Sequence, residues 1–267
     1  MRYYLGFDDT DSLDAPYGTG KVARWFEPSL PVGCRLWGVV RQQLLVHEDV
    51  PYTSHNSSAC LVVEAEDGCS REHLLDAAVE HLKRHSVEGS DPGLCLAAEG
   101  DDDLHLLTAF GQRCTQEVVQ PGAAYDLAEK TGVHLSEHGG TGQGVIGAMA
   151  SVGLTVWGWA GRCIEFGGLR ALPRELTVAA LKDHGVLVAS IDRNAAPPAQ
   201  DCRIDTHGWC RPRLMGGEPV LLVSRTSTGG WESLGRKRQK AHGTGAQTCP
   251  GTALITQPSF PSLTVRS

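Results

Sequence analysis

Apolar and polar positions alternate between two periods along this chain. Arg2–Phe7 is aromatic and apolar and reads as a buried strand, broken at Asp8 by a polar, turn-prone loop that runs to Gly20. A short helix is expected over 21–26, a long strand or hairpin arm over 35–46, a polar loop over 47–58 and a strand over 59–65. Arg71–His85 carries Leu74, Leu75, Ala78 and Leu82 at helical spacing, with Ser70 placed to cap it. A strand over 94–98 and a helix over 101–114 follow, the helix with aspartates at its start.

The order strand, helix, strand, helix from 59 to about 118 suits a ferredoxin-like insert. Beyond it, helices are expected over 123–131, 144–152 and 175–184. Strands are expected over 133–136, 162–166 and 186–191, with an edge strand over 219–223 that begins on Pro219. From 226 the chain turns rich in Gly, Ser, Thr and Pro, with the basic run Arg236–Lys240, and reads as a disordered tail. The fold class is therefore α/β (α+β) with a mixed sheet.

Composition narrows the function classes. The chain has 267 residues, 41% hydrophobic and 21% charged, enough to bury a core without metal or disulfide support. Its net charge of −7 argues against a broad nucleic-acid-binding face, which phosphate neutralisation would make basic. Nine cysteines fall in no C-x-x-C pair, and no apolar run reaches membrane-spanning length. With no leader-like segment at the start, the expectation is a cytoplasmic protein with free, mostly buried thiols and no membrane partner.

Two motifs carry chemistry. Asp8, Asp9, Thr10 and Asp11 directly follow the first strand. If the chain stays extended there, Asp9 and Asp11 face one way and Asp8 the other. Carboxylates about 5 Å apart repel by roughly 3 kcal/mol at an effective dielectric near 20, and a bound Mg²⁺ would reverse that sign. The plainer reading is a solvated turn. The second motif runs from His138 to Gly147 and is rich in glycine, including Gly142, Gly144 and Gly147. Such a turn admits either close helix packing or a phosphate on backbone amides. Gly142–Gly147 also fits G-x-G-x-x-G, with Glu165 downstream as a ribose contact.

Together, Gly6-Phe7-Asp8-Asp9-Thr10-Asp11-Ser12 and Gly144-Val145-Ile146-Gly147-Ala148-Met149-Ala150-Ser151-Val152-Gly153 resemble the archaeal tRNA-isoleucine agmatinylcytidine synthetase (TiaS) family over residues 1–190. The resemblance implies a kinase-like domain, here 1–57 with 119–225, split by a ferredoxin-like insert, here 58–118, and followed by the tail at 226–267. It also implies ATP and Mg²⁺ as cofactors, with Asp8, Asp9 and Asp11 holding the metal and Gly142, Gly144, Gly147 and Thr10 shaping the nucleotide site. The family activates a cytidine of tRNA and joins an amine to it, so a small amine, a nucleoside or tRNA becomes the expected partner.

This chain departs from the family at three places. Lys21 stands where the family has a phosphate-accepting Thr, with Thr19 nearby; Asn56-Ser57-Ser58 replaces Gly-Asn-Gly; and Gln143 replaces an Arg. The chain after Ile191 is too short for both the OB-fold and the zinc ribbon that grip tRNA. A lysine cannot accept phosphate in the same way, but it can steady one as a point charge. Two other readings of the residues stand beside this one. Asp9-x-Asp11 after an apolar strand also suits a haloacid-dehalogenase-like phosphatase, and a core that only senses nucleotide is the third. Further candidates are the 52–58 loop, His134 with Glu137 and His138, the tryptophans Trp157, Trp159 and Trp209, and Cys202 with His207 and Cys210.

Overall fold

A computed structural model describes residues 1–50, 56–66 and 68–235. The elements are β1 (Arg2–Asp8), α1 (Thr19–Arg24), β2 (Cys34–Gln43), β3 (Ser57–Ala65), α2 (Arg71–His85), β4 (Gly93–Ala98), α3 (Leu104–Arg113), α4 (Pro121–Thr131), β5 (His134–Glu137), α5 (Gly144–Trp157), β6 (Arg162–Phe166), β7 (Glu175–Thr177), α6 (Val178–Asp183), β8 (Leu187–Ser190), β9 (Arg203–Asp205), β10 (Arg213–Met215), β11 (Glu218–Arg225) and β12 (Trp231–Ser233). The strands form one mixed sheet in the order β5-β4-β1-β3-β2-β6-β10-β11-β12-β9-β7, with β8 pairing β11 in parallel.

Strand alternation decides which helices cover which face. Tyr3, Leu5 and Phe7 of β1 join Leu61 and Val63 of β3 and Leu94 and Leu96 of β4 on one face, under Val22 of α1 and Leu74, Ala78 and Leu82 of α2. Cys60 and Cys95 point to the other face, against Leu107 and Phe110 of α3 and Val145, Ala148, Met149 and Val152 of α5. β4 is buried along its whole length because both faces are covered. Each fully buried leucine contributes roughly 1.5–3 kcal/mol. A third cluster, built on Val40, Cys163, Leu181, Leu221 and Val223, fills the region around β6, β11 and α6.

Local chemistry fixes the helix ends. Ser70 caps α2, its side chain accepting from the His73 N–H. Pro121 opens α4, and Gly132, in the left-handed region, closes it. α3 starts later than the aspartates suggest, because Asp101 turns back to accept from the Ala98 N–H at 2.8 Å and from Arg71 at 2.8 Å.

Four expectations change. The helix expected over 175–184 is a strand followed by a shorter helix: Glu175–Thr177 pairs with β9, and Thr177 then caps α6 through the Ala180 N–H. β11 is no edge strand, since it pairs β10 and β12 on one side and β8 on the other. Pro219 is tolerated because pairing with β8 begins one residue later, at Val220. The segment read as a tail begins with described structure, including β12, while 236–267 lies outside the described residues. Cys34 and Cys69 form a disulfide with Cα atoms 6.2 Å apart, where free thiols were expected; the turn before α2 lays Cys69 beside the first residue of β2. No helix among the described residues is long and apolar enough to cross a membrane.

Candidate functional site

β1 delivers Asp8 to the N-terminal half of α5. A methyl group placed on Gly147 would fall 1.8 Å from Asp8 Oδ2, so only glycine admits the carboxylate there. The chain does not stay extended beyond Asp8. Asp9 takes a left-handed conformation, φ 49°, which aspartate tolerates better than most residues. The reversal sends the Asp9 carbonyl to the Asp91 N–H, at 3.1 Å, and the Thr10 carbonyl to the Val87 N–H, at 3.0 Å. Asp9 and Asp11 therefore do not simply share a strand face.

Thr19, the first residue of α1, pins the rest of the loop. Its hydroxyl accepts from the Thr10 N–H, and its own N–H donates to Asp11 Oδ1, each at 3.2 Å. Thr10 is fully buried by this packing. Lys21 is exposed, its ammonium 5.0 Å from the Trp25 ring and 5.8 Å from the Tyr17 ring. Thr19 is thus the α1 side chain woven into the acidic loop.

The glycine turn is organised by a residue that neither motif contains. Asp91 accepts from Thr141 Oγ1 at 2.6 Å, from the Gly142 N–H at 2.7 Å and from the Gln143 N–H at 3.1 Å. Gly142 sits at φ +80° to close this turn, and Gly144 lies against the Asp91 carbonyl. Two of the amides expected to face a phosphate are thus held by an internal carboxylate. The G-x-G-x-x-G geometry is absent as well: β5 pairs antiparallel with β4, and Glu165 lies on β6, antiparallel to β2, so no parallel βαβ unit surrounds the turn.

Four carboxylates share this corner. Burial pushes Asp8 well above the usual carboxylate range, and the charges of Asp9, Asp11 and Asp91 add to the rise against the Asp9 N–H. Burial first, then Asp91 and Asp11, raise Asp9 to about 6. Burial pushes Asp91 the same way, but its hydrogen bonds from Thr141 and the turn amides win and hold it low. Asp8 opens onto a cavity of about 380 Å³ whose lining includes Thr141, Gln143, Ile146 and Gly147, and also Leu44, Asn56, Asp49 and Glu117. That volume lies in the range of small-molecule sites.

Oxygen donors of this kind suit a hard divalent cation. Among the described residues no group of three or more His, Cys, Asp or Glu closes into a metal cage. Mg²⁺ does not need one, since one or two carboxylates plus substrate phosphates commonly hold it. The donor set therefore fits an ion shared with a phosphate.

The remaining candidates disperse. Residues 51–55 of the polar loop lie outside the described residues, while Asn56 donates to the Leu45 carbonyl and Ser57 accepts from Arg41. Ser136 Oγ bridges the Nε2 atoms of His134 and His138 at 2.8 and 2.9 Å. His207 sits between Asp205 and Glu232. Trp157 and Trp159 are exposed, and Trp209 lies under Arg211. Sequence reading missed Asp91 and the anchoring role of Thr19. The turn signal Asp91-Pro92-Gly93 was the available clue to the first.

Solved structures share this fold. The crystal structure of a tRNA fluorescent labeling enzyme aligns at 27% identity and a TM-score of 0.50, over 57% of this chain and 36% of that one. The crystal structure of TiaS in complex with tRNA and ATP aligns at 26% identity with the same TM-score and the same coverages. The chain has a TiaS-like fold over that part, and it spans about a third of the length of these structures. No family model matches the sequence, and no curated protein does.

Proposed function

We propose that the Asp8–Asp11 corner binds Mg²⁺ and ATP, and that the protein is an ATP-dependent ligase or phosphotransferase acting on an oxygen of a nucleoside or small molecule. The observation that carries this reading is the clustering of Asp8 with the charges of Asp9, Asp11 and Asp91, Asp8 itself lining a ligand-sized cavity, with Asp8 and Asp9 pushed above their ordinary range. Such a corner gains most from a cation. Asp8 and Asp9 would hold the ion, which neutralises phosphate charge when bound. The fold shared in part with the complex of TiaS, tRNA and ATP supports the same chemistry.

Within this proposal the residues divide their work. Asp91 and Gly142 set the turn, Gly147 leaves room for Asp8, and Thr19 fixes Asp11. Lys21, exposed beside Trp25 and Tyr17, would serve as a point charge for phosphate. An amine displacing the phosphate, with a nucleoside or a tRNA as acceptor, belongs to the same proposal. So does the division into a split domain, 1–57 with 119–225, around an insert at 58–118.

Calorimetric titration with ATP, with and without Mg²⁺, tests the reading. Binding that needs Mg²⁺ and disappears in Asp9→Ala is expected. No binding by the wild-type protein in either condition sinks the assignment.

A further inference from the structure

A second cavity, of about 730 Å³, is lined in part by α1. Its wall contains Arg24 from α1, Arg41 from β2, Arg162 from β6, Arg213 from β10, and Arg170 and Arg211 from the loops between. No aspartate or glutamate lines it, and none of these six arginines forms an ion pair among the described residues. In a chain of net charge −7 this is a local inversion of sign.

The arginines are placed by the sheet itself. Arg41 pairs directly with Arg162, and Arg162 with Arg213, so three like charges stand side by side across β2, β6 and β10. Direct opposition of like charges destabilises a sheet. Arg211 is buried, 8% exposed, with its guanidinium 3.8 Å over the Trp209 ring. Burial, then the charges of Arg170 and Arg24, lower it to about 10, with Glu165 and Cys210 opposing. Burial followed by a neighbouring arginine also lowers Arg24, Arg41 and Arg162. Gln42 lines the same cavity fully buried, and its Oε1 has no hydrogen-bond partner among the described residues.

We infer that this cavity is a binding site for a compact, multiply charged phosphate compound, an oligophosphate or a molecule bearing one. Guanidinium forks match phosphate oxygens two at a time, which an ammonium cannot do. A multiply charged anion relieves the repulsion along the β2–β6–β10 row. The volume suits a molecule of nucleotide size. The arginines converge on one concavity, whereas a nucleic-acid strand is followed by a basic stripe. The inference does not rest on the nucleotide reading of the acidic corner, which none of these six side chains lines.

The experiment is calorimetric titration of the full chain with tripolyphosphate, without divalent cations and in a phosphate-free buffer. Three variants run beside the wild type: Arg162→Gln with Arg213→Gln, side chains exposed over much of their surface though the Arg162 head group is partly enclosed; Arg211→Lys; and Asp9→Ala. Circular dichroism checks that each is folded. Wild-type binding is expected, weakened roughly tenfold or more in the folded double variant, as loss of one charge-assisted hydrogen bond requires. Asp9→Ala is expected to bind as wild type does, whatever becomes of ATP. Three results overturn the inference: no heat with wild-type protein, full affinity in both arginine variants, or loss confined to Asp9→Ala. A competing arm uses a short single-stranded oligonucleotide. If it binds through these arginines and tripolyphosphate does not displace it, the pocket serves a phosphodiester backbone and the compact ligand is wrong.

Discussion

The carboxylate of Asp8 rests on the backbone of Gly147, where a single added carbon would come within 1.8 Å of Oδ2. Strand end and helix are thereby locked into one arrangement. Gly147→Ala must push the carboxylate aside. Overpacking of this kind costs about 1–3 kcal/mol, so a folded protein with a lower melting temperature is expected. Mg²⁺-dependent ATP binding should fall much further than stability does. Retention of wild-type affinity in the calorimeter would detach Asp8 from the ligand site.

Asp9 couples the corner to pH. Its carboxyl titrates at about 6 in the folded protein, against 3.8 in the unfolded chain. Below the lower value both states are protonated and the carboxyl costs nothing. Between about pH 4 and 6 the unfolded chain ionises while the folded carboxyl keeps its proton, so stability drops across that window and is level above it. After allowance for solvent screening the loss is about 1–2 kcal/mol. Asp9→Asn should remove it, so the variant becomes more stable than wild type above pH 6 and equal to it below pH 4. Urea denaturation across that range measures the difference.

Asp91 has the opposite sign. Hydrogen bonds to its charged form hold its carboxyl low, so its stabilisation is present at neutral pH and lost as pH falls below the ordinary carboxylate range. Asp91→Ala leaves the Gly142 and Gln143 amides and the Thr141 hydroxyl without this partner. A loss of about 1–3 kcal/mol at pH 7 is expected, shrinking in acid. If the variant is as stable as wild type at pH 7, the turn does not depend on this residue.

The Cys34–Cys69 bridge closes a separation of 35 residues, which is worth about 3–4 kcal/mol at most by the loop-entropy account. Dithiothreitol should therefore lower the melting temperature of wild-type protein and leave Cys34→Ser unchanged. Unfolded, unreduced protein should show two fewer thiols than the nine cysteines in the sequence. All nine reacting would contradict the bridge.

Much of the fold was legible where one period dominates. β1, α2 and β6 appear where alternation and helical spacing put them, and Ser70 caps as its type suggests. Boundaries failed where a partner distant in sequence decides them. Glu175–Thr177 reads as helix until β9 pairs with it, and Pro219 marks an edge only if β8 is ignored. The aspartates of the first loop were visible because they are adjacent. Asp91 was not, because its meaning depends on a turn some fifty residues later. The arginine row was hidden for the same reason: Arg41, Arg162 and Arg213 become neighbours only through strand register.

That register has a temporal side. The pairing of Arg41 with Arg162 joins positions far apart in the chain, and such contacts close late because a long loop must be ordered first. β1, β3 and β4 need no residue beyond Ala98 to pair with one another. The acidic corner can therefore assemble early, as soon as α5 docks. The arginine cavity has walls on both sides of the β2–β6 seam and exists only after the seam closes. An anion bound there would be held by the closed chain and not the open one, and would slow the opening of that seam.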